Sequence, residues 1–291
     1  MKVDVSAEMK LILSAYSSEH PSESAEKLKQ LWLEFQPASI EAIKAEQRRR
    51  QETVGIPVPV LKAIAKELGK QARKDVQHVH AFIPLARTLW HDFGREGRVV
   101  SALILGGMEV VAPDTIVPLI MDLCRSCVTW EDADRLAMDA LEPIVRKDPE
   151  QWLSTVEPWL DDENKWVRRA GVTVVARLPM KHPSYTERCL QLAERLLSDQ
   201  DTDVKRAVSF AIRLAARGQP EPVREFLARH VPPSDADATW VLCDAIRSMT
   251  KRFLPHFTAL LPLYVQWASD PQLSSKDRRS VESAVRILRA V

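Results

Sequence analysis

Residues 166–172 read Trp166-Val167-Arg168-Arg169-Ala170-Gly171-Val172, and 37 residues later the chain reads Asp203-Val204-Lys205-Arg206-Ala207-Val208-Ser209. An acidic turn precedes each copy, Asp161-Asp162-Glu163-Asn164 before the first and Asp199-Gln200-Asp201 before the second. Self-similarity at such a period marks a stacked repeat, because a single supersecondary unit can bury its apolar face only against its neighbours. Toward the N-terminus, Arg135 and Arg98 stand at the heads of "RLAMDALEPIV" and "RVVSALILGG", so four arginines follow at spacings of 37, 34 and 37 residues. Each heads an apolar run with helical periodicity.

Between these runs lie partners of similar length, such as Glu150 to Leu160 and Tyr185 to Leu197, which makes the unit helix, tight acidic turn, helix. The pattern D-x-x-V-[RK] at the second helix resembles HEAT repeats. That resemblance implies an all-α fold, an α-solenoid of helix pairs whose second helices line a concave groove. One domain is expected over 1–291, with N-terminal helices in 1–40, repeats in 41–234, an added helix pair in 235–270 and a closing helix in 271–291. Prolines support this division. Pro57, Pro59, Pro113, Pro149, Pro183, Pro220, Pro222, Pro232, Pro233 and Pro271 fall between periodic runs, whereas Pro143, Pro158 and Pro262 fall inside apolar runs and are expected to kink them.

Composition agrees with a helical protein. Of 291 residues 45% are hydrophobic and only 8 are glycine, which leaves no glycine-rich nucleotide loop. The first residues carry Asp4 and Glu8 and only a short apolar run, so they read as neither a signal peptide nor a membrane span, and a cytoplasmic address is expected. Four cysteines are too few for a disulfide scaffold. Cys124 and Cys127 form a C-x-x-C, but no further zinc ligand and no βαβ setting accompany them, and they read as packing residues. The histidines lack metal-ligand spacing, so neither a metal nor another cofactor is expected.

The net charge of +1 hides a segregation. Residues 41–74 hold nine Lys/Arg against four acids and 165–217 eleven against five, while 110–164 hold four against thirteen. Basic segments of this kind are the electrostatic footprint of a polyanion partner. Lys62, Lys66, Lys70 and Arg73 recur at helical steps, as do Arg206, Arg213 and Arg217, so each set makes a stripe along one helix face. Both stripes are expected to follow phosphates. Arg168 and Lys205 read equally well as rungs tying one repeat to the next.

Residues 129–135, "TWEDADR", open another apolar run. Residues four apart on a helix share a face, which sets Trp130 beside Asp134 and Glu131 beside Arg135. The arrangement allows either an acid and an indole facing one ligand, or a core anchor with acids favouring a helix N-terminus.

The succession "VGIPVPVLKAIAKEL", "TWEDADRLA", "DPEQW", "DDENKWVRRAGV" and "DVKRAVSFAIRLAARG" resembles the AlkD-like DNA alkylation repair glycosylases from about residue 40 to 218, and "LSSKDRRSVESAVRIL" resembles that family's closing helix. The resemblance implies hydrolysis of the N-glycosidic bond of cationic N3- or N7-alkylated purines. It assigns Asp134 as the catalytic carboxylate, Trp130 as the aromatic beside it and Arg169 as a basic residue near the phosphates, with Trp166 in the same repeat. Phe210 falls where the family has a second tryptophan, Thr53 where it often has an aromatic residue, and Lys62 near its usual arginine. Lys66, Lys70, Arg206 and Arg213 complete the expected DNA contacts. The expected partner is duplex DNA bearing alkylated purines, bound by a monomer at the nucleoid. The alternatives are a non-excising protein of the same build that binds branched or distorted DNA, and a HEAT scaffold for a protein partner.

Overall fold

The computed structural model describes residues 4–35, 53–108, 111–233 and 235–291. These residues form an α-solenoid of HEAT-like helix pairs, with no strand among them. No helix among them is long and apolar enough to cross a membrane. The arginine run at 48–50, part of the basic segment 41–74, lies outside the described residues. The chain divides into two compact units, Met1–Lys147 and Asp148–Val291.

The first unit comprises α1 (Ser6–Ser14), α2 (Pro21–Leu33), α3 (Val58–Ala72), α4 (Val76–Asp92), α5 (Gly94–Gly107), α6 (Pro113–Arg125), α7 (Trp130–Arg135), a widened turn Leu136–Leu141, and α8 (Glu142–Lys147). Helices α3 and α4 pack on α5, and α5 packs on the widened turn. At the entry to α3, Glu96 of α5 is 1% exposed and anchors the preceding loop. Its Oε1 accepts from Thr53 Oγ1 at 2.6 Å, Gly55 N at 2.9 Å and Ile56 N at 3.3 Å. Gly55 has φ 85°, in the left-handed region that a side chain disfavours. Thr53 therefore supplies a donor that an aromatic hydrocarbon ring would not.

The second unit comprises α9 (Pro149–Val156) running into a tight turn Glu157–Asp161, then α10 (Lys165–Arg177), α11 (Thr186–Glu194), α12 (Thr202–Gly218), α13 (Pro220–Arg229), α14 (Ala236–Arg247), a tight turn Leu254–Leu260, α15 (Leu261–Ala268) and α16 (Ser275–Arg289). Helix α10 packs on α12, α12 on α14, and α14 on α16, while α11 and α13 pack on α12 from outside that row. Residues 235–270 hold α14 and α15, and 271–291 hold α16.

The acidic turns act as caps. Asn164 accepts from Trp166 N at 2.8 Å, Asp201 from Asp203 N at 2.8 Å and Asp235 from Ala238 N at 2.8 Å, each satisfying amide groups that the helix start leaves unpaired. The repeat period also sets the polar contacts between neighbouring helices. Lys165 meets Asp201 and Asp203 at 3.2 Å, Arg168 meets Asp199 at 2.7 Å, Lys205 meets Asp237 at 2.6 Å and Ser209 donates to Asp244 at 2.6 Å. Arg95–Glu131 and Arg98–Asp132 do the same in the first unit. Each rung joins residues 31 to 38 positions apart, one repeat along the chain. Arg168 and Lys205 are rungs.

All four cysteines are free and buried. Burial pushes the thiols of Cys189 and Cys243 up to about 12 and raises that of Cys127. Thiolate chemistry is thereby suppressed.

Candidate nucleic-acid interface

Helix α7 begins at Trp130, capped by Thr129. Thr129 Oγ1 accepts from Asp132 N at 3.4 Å, and Asp132 Oδ2 accepts in return from Thr129 N at 3.0 Å and Val128 N at 3.2 Å. This reciprocal box fixes where the helix starts. Asp132 is buried and lies 3.4 Å from Arg98. Glu131 meets Arg95 at 2.7 Å and Arg135 at 3.7 Å, and Arg135 meets Asp139 at 3.2 Å. Burial alone would lower the Arg95 guanidinium, but Glu131 outweighs it and holds the group above its ordinary value. Glu131 and Asp132 of "TWEDADR" pair with arginines. Asp134 is half-buried, four residues from a Trp130 that is 53% exposed.

The turn after α7 explains how this face is held. Buried pairs run Asp132/Ala133, Leu136/Ala137, Ala140/Leu141 and Ile144/Val145, a four-residue period to which Glu142 adds one more buried position beside Leu141. An ideal α-helix would let such rows drift by about 40° per step, roughly 120° over three steps. In Leu136–Leu141 the backbone bonds reach five residues back, as in Glu142 N–H to Ala137 O. One additional residue absorbs about 100° of the drift. The burial row stays on one side, the Glu131–Arg135–Asp139 ion row on the next, and Trp130, Asp134 and Met138 form a third.

Pro143 and Gly106 account for the widening. Pro143 has no N–H, so the Asp139 carbonyl lacks the donor that a regular α-helix supplies four residues on. That carbonyl instead presses against α5, where a Cβ added to Gly106 would sit 1.8 Å from its oxygen. The kink expected at Pro143 is therefore a change of helical winding. Pro158 and Pro262 likewise stand where the winding changes, in the tight turn after α9 and at the start of α15.

On α3, Lys62, Lys66, Lys70 and Arg73 are all exposed, as the stripe requires. Lys70 pairs with Glu67 at 2.7 Å, whereas Lys62 and Lys66 make no ion pair among the described residues.

In the second unit, Lys165 stands 4.3 Å from the Trp166 ring centroid, so the indole carries a cation over its face. Arg169 is 7% exposed, and its guanidinium donates to the Asp203 carbonyl. It ties α10 to α12. On α12, Arg206, Phe210, Arg213 and Arg217 follow at steps of four, three and four, which sets the aromatic ring within the arginine stripe. Arg206 and Arg217 are exposed, and Phe210 is half-buried with the Arg213 guanidinium 5.5 Å from its ring centroid. Burial holds the Arg213 guanidinium below its ordinary value. That Phe210 interrupts the basic row was readable from spacing alone, whereas the carbonyl that binds Arg169 was not.

A family described as "DNA alkylation repair enzyme" matches residues 28–249. The chain belongs to this family. Two solved structures share the family's fold with it. AlkD2 from Streptococcus mutans is 15% identical, covers 72% of this chain and 99% of its own, and superposes with a TM-score of 0.55. The smu.31 protein from Streptococcus mutans UA159 is 15% identical, covers 65% of this chain and 100% of its own, with a TM-score of 0.53. No curated protein matches the chain. As a member of the DNA alkylation repair family, the chain has a repair role.

Proposed function

We propose that the protein is a DNA glycosylase that releases cationic N3- or N7-alkylated purines from duplex DNA, with Asp134 as the catalytic carboxylate. The observation that carries this reading is the placement of Asp134 one helical turn from an exposed indole on the same row of α7. Glu131 and Asp132 pair with arginines of the preceding repeat.

Alkylation at N3 or N7 makes the purine cationic and a good leaving group. The bond from C1′ to the base breaks with its electron pair passing to the base, which leaves as a neutral alkylpurine, and positive charge develops on the sugar. Asp134 stabilises that charge electrostatically and accepts the proton of the water whose oxygen bonds to C1′. Trp130 offers a π face to the same cation. Lys62 and Lys66 on one unit, and Arg206 and Arg217 on the other, meet phosphates.

The test is incubation with a duplex carrying one N7-methylguanine, followed by measurement of free base. Release of N7-methylguanine at a rate proportional to enzyme supports the proposal, and tight binding without release overturns it. Phe210 favours a second reading, binding without excision, since it replaces the larger indole of the family with a ring already engaged by Arg213.

A further inference from the structure

The six residues Thr129-Trp130-Glu131-Asp132-Ala133-Asp134 have a counterpart in the second unit, Thr239-Trp240-Val241-Leu242-Cys243-Asp244, which repeats T-W-x-x-x-D. The two copies sit differently in their helices. Trp130 opens α7, whereas Trp240 lies a full turn inside α14, behind the Asp235 cap and the Thr239 Oγ1 bond to the Asp235 carbonyl at 2.8 Å. Asp244 is occupied too. It accepts from Ser209 Oγ at 2.6 Å, Ser248 Oγ at 3.3 Å and Arg247 at 3.4 Å. This carboxylate is a joint between α12 and α14 and lacks the setting of a catalytic acid.

Trp240 itself is partly exposed, and the surroundings of its ring are cationic. Lys205, steadied by Asp237 at 2.6 Å, places its ammonium 6.0 Å from the ring centroid. The adjoining α12 presents Arg206, Phe210, Arg213 and Arg217 along one face. Arg213 reaches across to α14 and donates to the Ser248 carbonyl at 3.4 Å, which ties the stripe to the helix that carries Trp240. Two packed helices therefore offer two partly exposed aromatic rings, each attended by a cation, and two further exposed arginines. The acids nearest them, Asp237 and Asp244, are already bonded.

We propose that Trp240 and Phe210 form a stacking surface for unpaired nucleotides of a DNA strand, with Arg206, Arg213 and Arg217 taking the flanking phosphates. Rings between positive charges at helical steps suit a polyanion whose flat bases have left their stack. A regular duplex keeps its base faces covered and would use only the arginines. The inference rests on the reading of a DNA partner but not on base excision, and it gives the outer face of α14 a task.

The experiment compares binding of the full chain to a short lesion-free duplex and to the same duplex carrying a bulge of unpaired thymidines. The wild type is expected to bind the bulged probe more tightly. Trp240→Ala should weaken bulged-probe binding about tenfold, the scale of removing one base–aromatic stack, and leave intact-duplex binding within twofold. Trp240→Phe, which keeps a π face, should retain most of the affinity. Melting temperature checks each fold, and Trp240→Leu, which fills space without a π system, replaces the alanine variant if that one melts early. Equal loss on both probes, no loss on either, or tighter binding of the matching RNA overturns the inference. If Trp240→Ala weakens only bulged-probe binding while no base is ever released, the excision reading fails and this inference stands. If excision proceeds but the bulge confers no advantage, the reverse holds.

Discussion

The carbonyl oxygen of Asp139 occupies the space that a side chain on Gly106 would need. Glycine is usually the weaker helix former, so alanine in mid-helix would ordinarily stabilise by about 1 kcal/mol. Here Gly106→Ala should destabilise by about 2–3 kcal/mol, because neither backbone can retreat without losing packing. Urea unfolding checks the sign. A stabilised variant would mean that the widened turn is not held against α5.

Asp134→Asn should reduce base release at least about 100-fold, the scale of removing one electrostatic interaction made in the transition state. DNA affinity and melting temperature should stay near wild type, since asparagine keeps the shape of the side chain and the Glu131–Arg95 and Asp132–Arg98 pairs remain. Single-turnover release of N7-methylguanine measures the effect, and a near-normal rate removes Asp134 from the chemistry.

Lys62→Ala combined with Lys66→Ala should lower the slope of log affinity against log salt by about one to two units, roughly 0.9 for each phosphate no longer neutralised. Lys70→Ala alone should change the slope less, because Glu67 already holds that ammonium at 2.7 Å. The weakening should be equal on alkylated and unmodified duplex, since backbone contacts position without reading bases. Fluorescence titrations at several salt concentrations give the slopes.

Asp201 yields a pH dependence. Burial would raise its carboxyl, but the Asp203 amide and Lys165 prevail, and it titrates below the ordinary value of 3.8. A carboxyl lowered by folding contributes stability that is present above its unfolded value and is lost as pH falls through the folded one. Asp201→Asn keeps a capping oxygen and loses the charge, so it should be less stable than wild type at pH 6. The two should converge as pH drops below 3.8. Thermal melts at both ends of that window decide it.

Much of the fold was legible because a repeat constrains many positions at once. The arginines at 98, 135, 169 and 206 and the acidic turns before α10 and α12 located successive second helices, and prolines marked their edges. What a spacing cannot give is the neighbour across the stack. The Asp203 carbonyl that accepts from the Arg169 guanidinium lies one repeat later, and no spacing along the chain points to it. The pairing of Trp130 with Asp134 followed from four-residue spacing, but which of the three acids the ladder would use depended on where Arg95 and Arg98 end. The widened turn left two traces in the sequence, Pro143 and Gly106, whose connection emerges only when α5 is laid against α7 and α8. Pro84 and Pro118 lie inside α4 and α6, where they interrupt a single backbone bond each without ending the helix. Trp240 had a signal, the repeated T-W-x-x-x-D.

The buried thiols give each half of the molecule its own clock. Cys124 and Cys127 lie in the first unit and Cys189 and Cys243 in the second, all free and buried in the native state. A thiol reagent can label them only when the surrounding helices open, so labelling rates report opening free energies. Peptide mapping of a single time course then separates the two pairs. Matching rates would show that the halves open as one cooperative body, and diverging rates would show that one half breathes while the other stays shut, with DNA added or withheld to see which half it quiets.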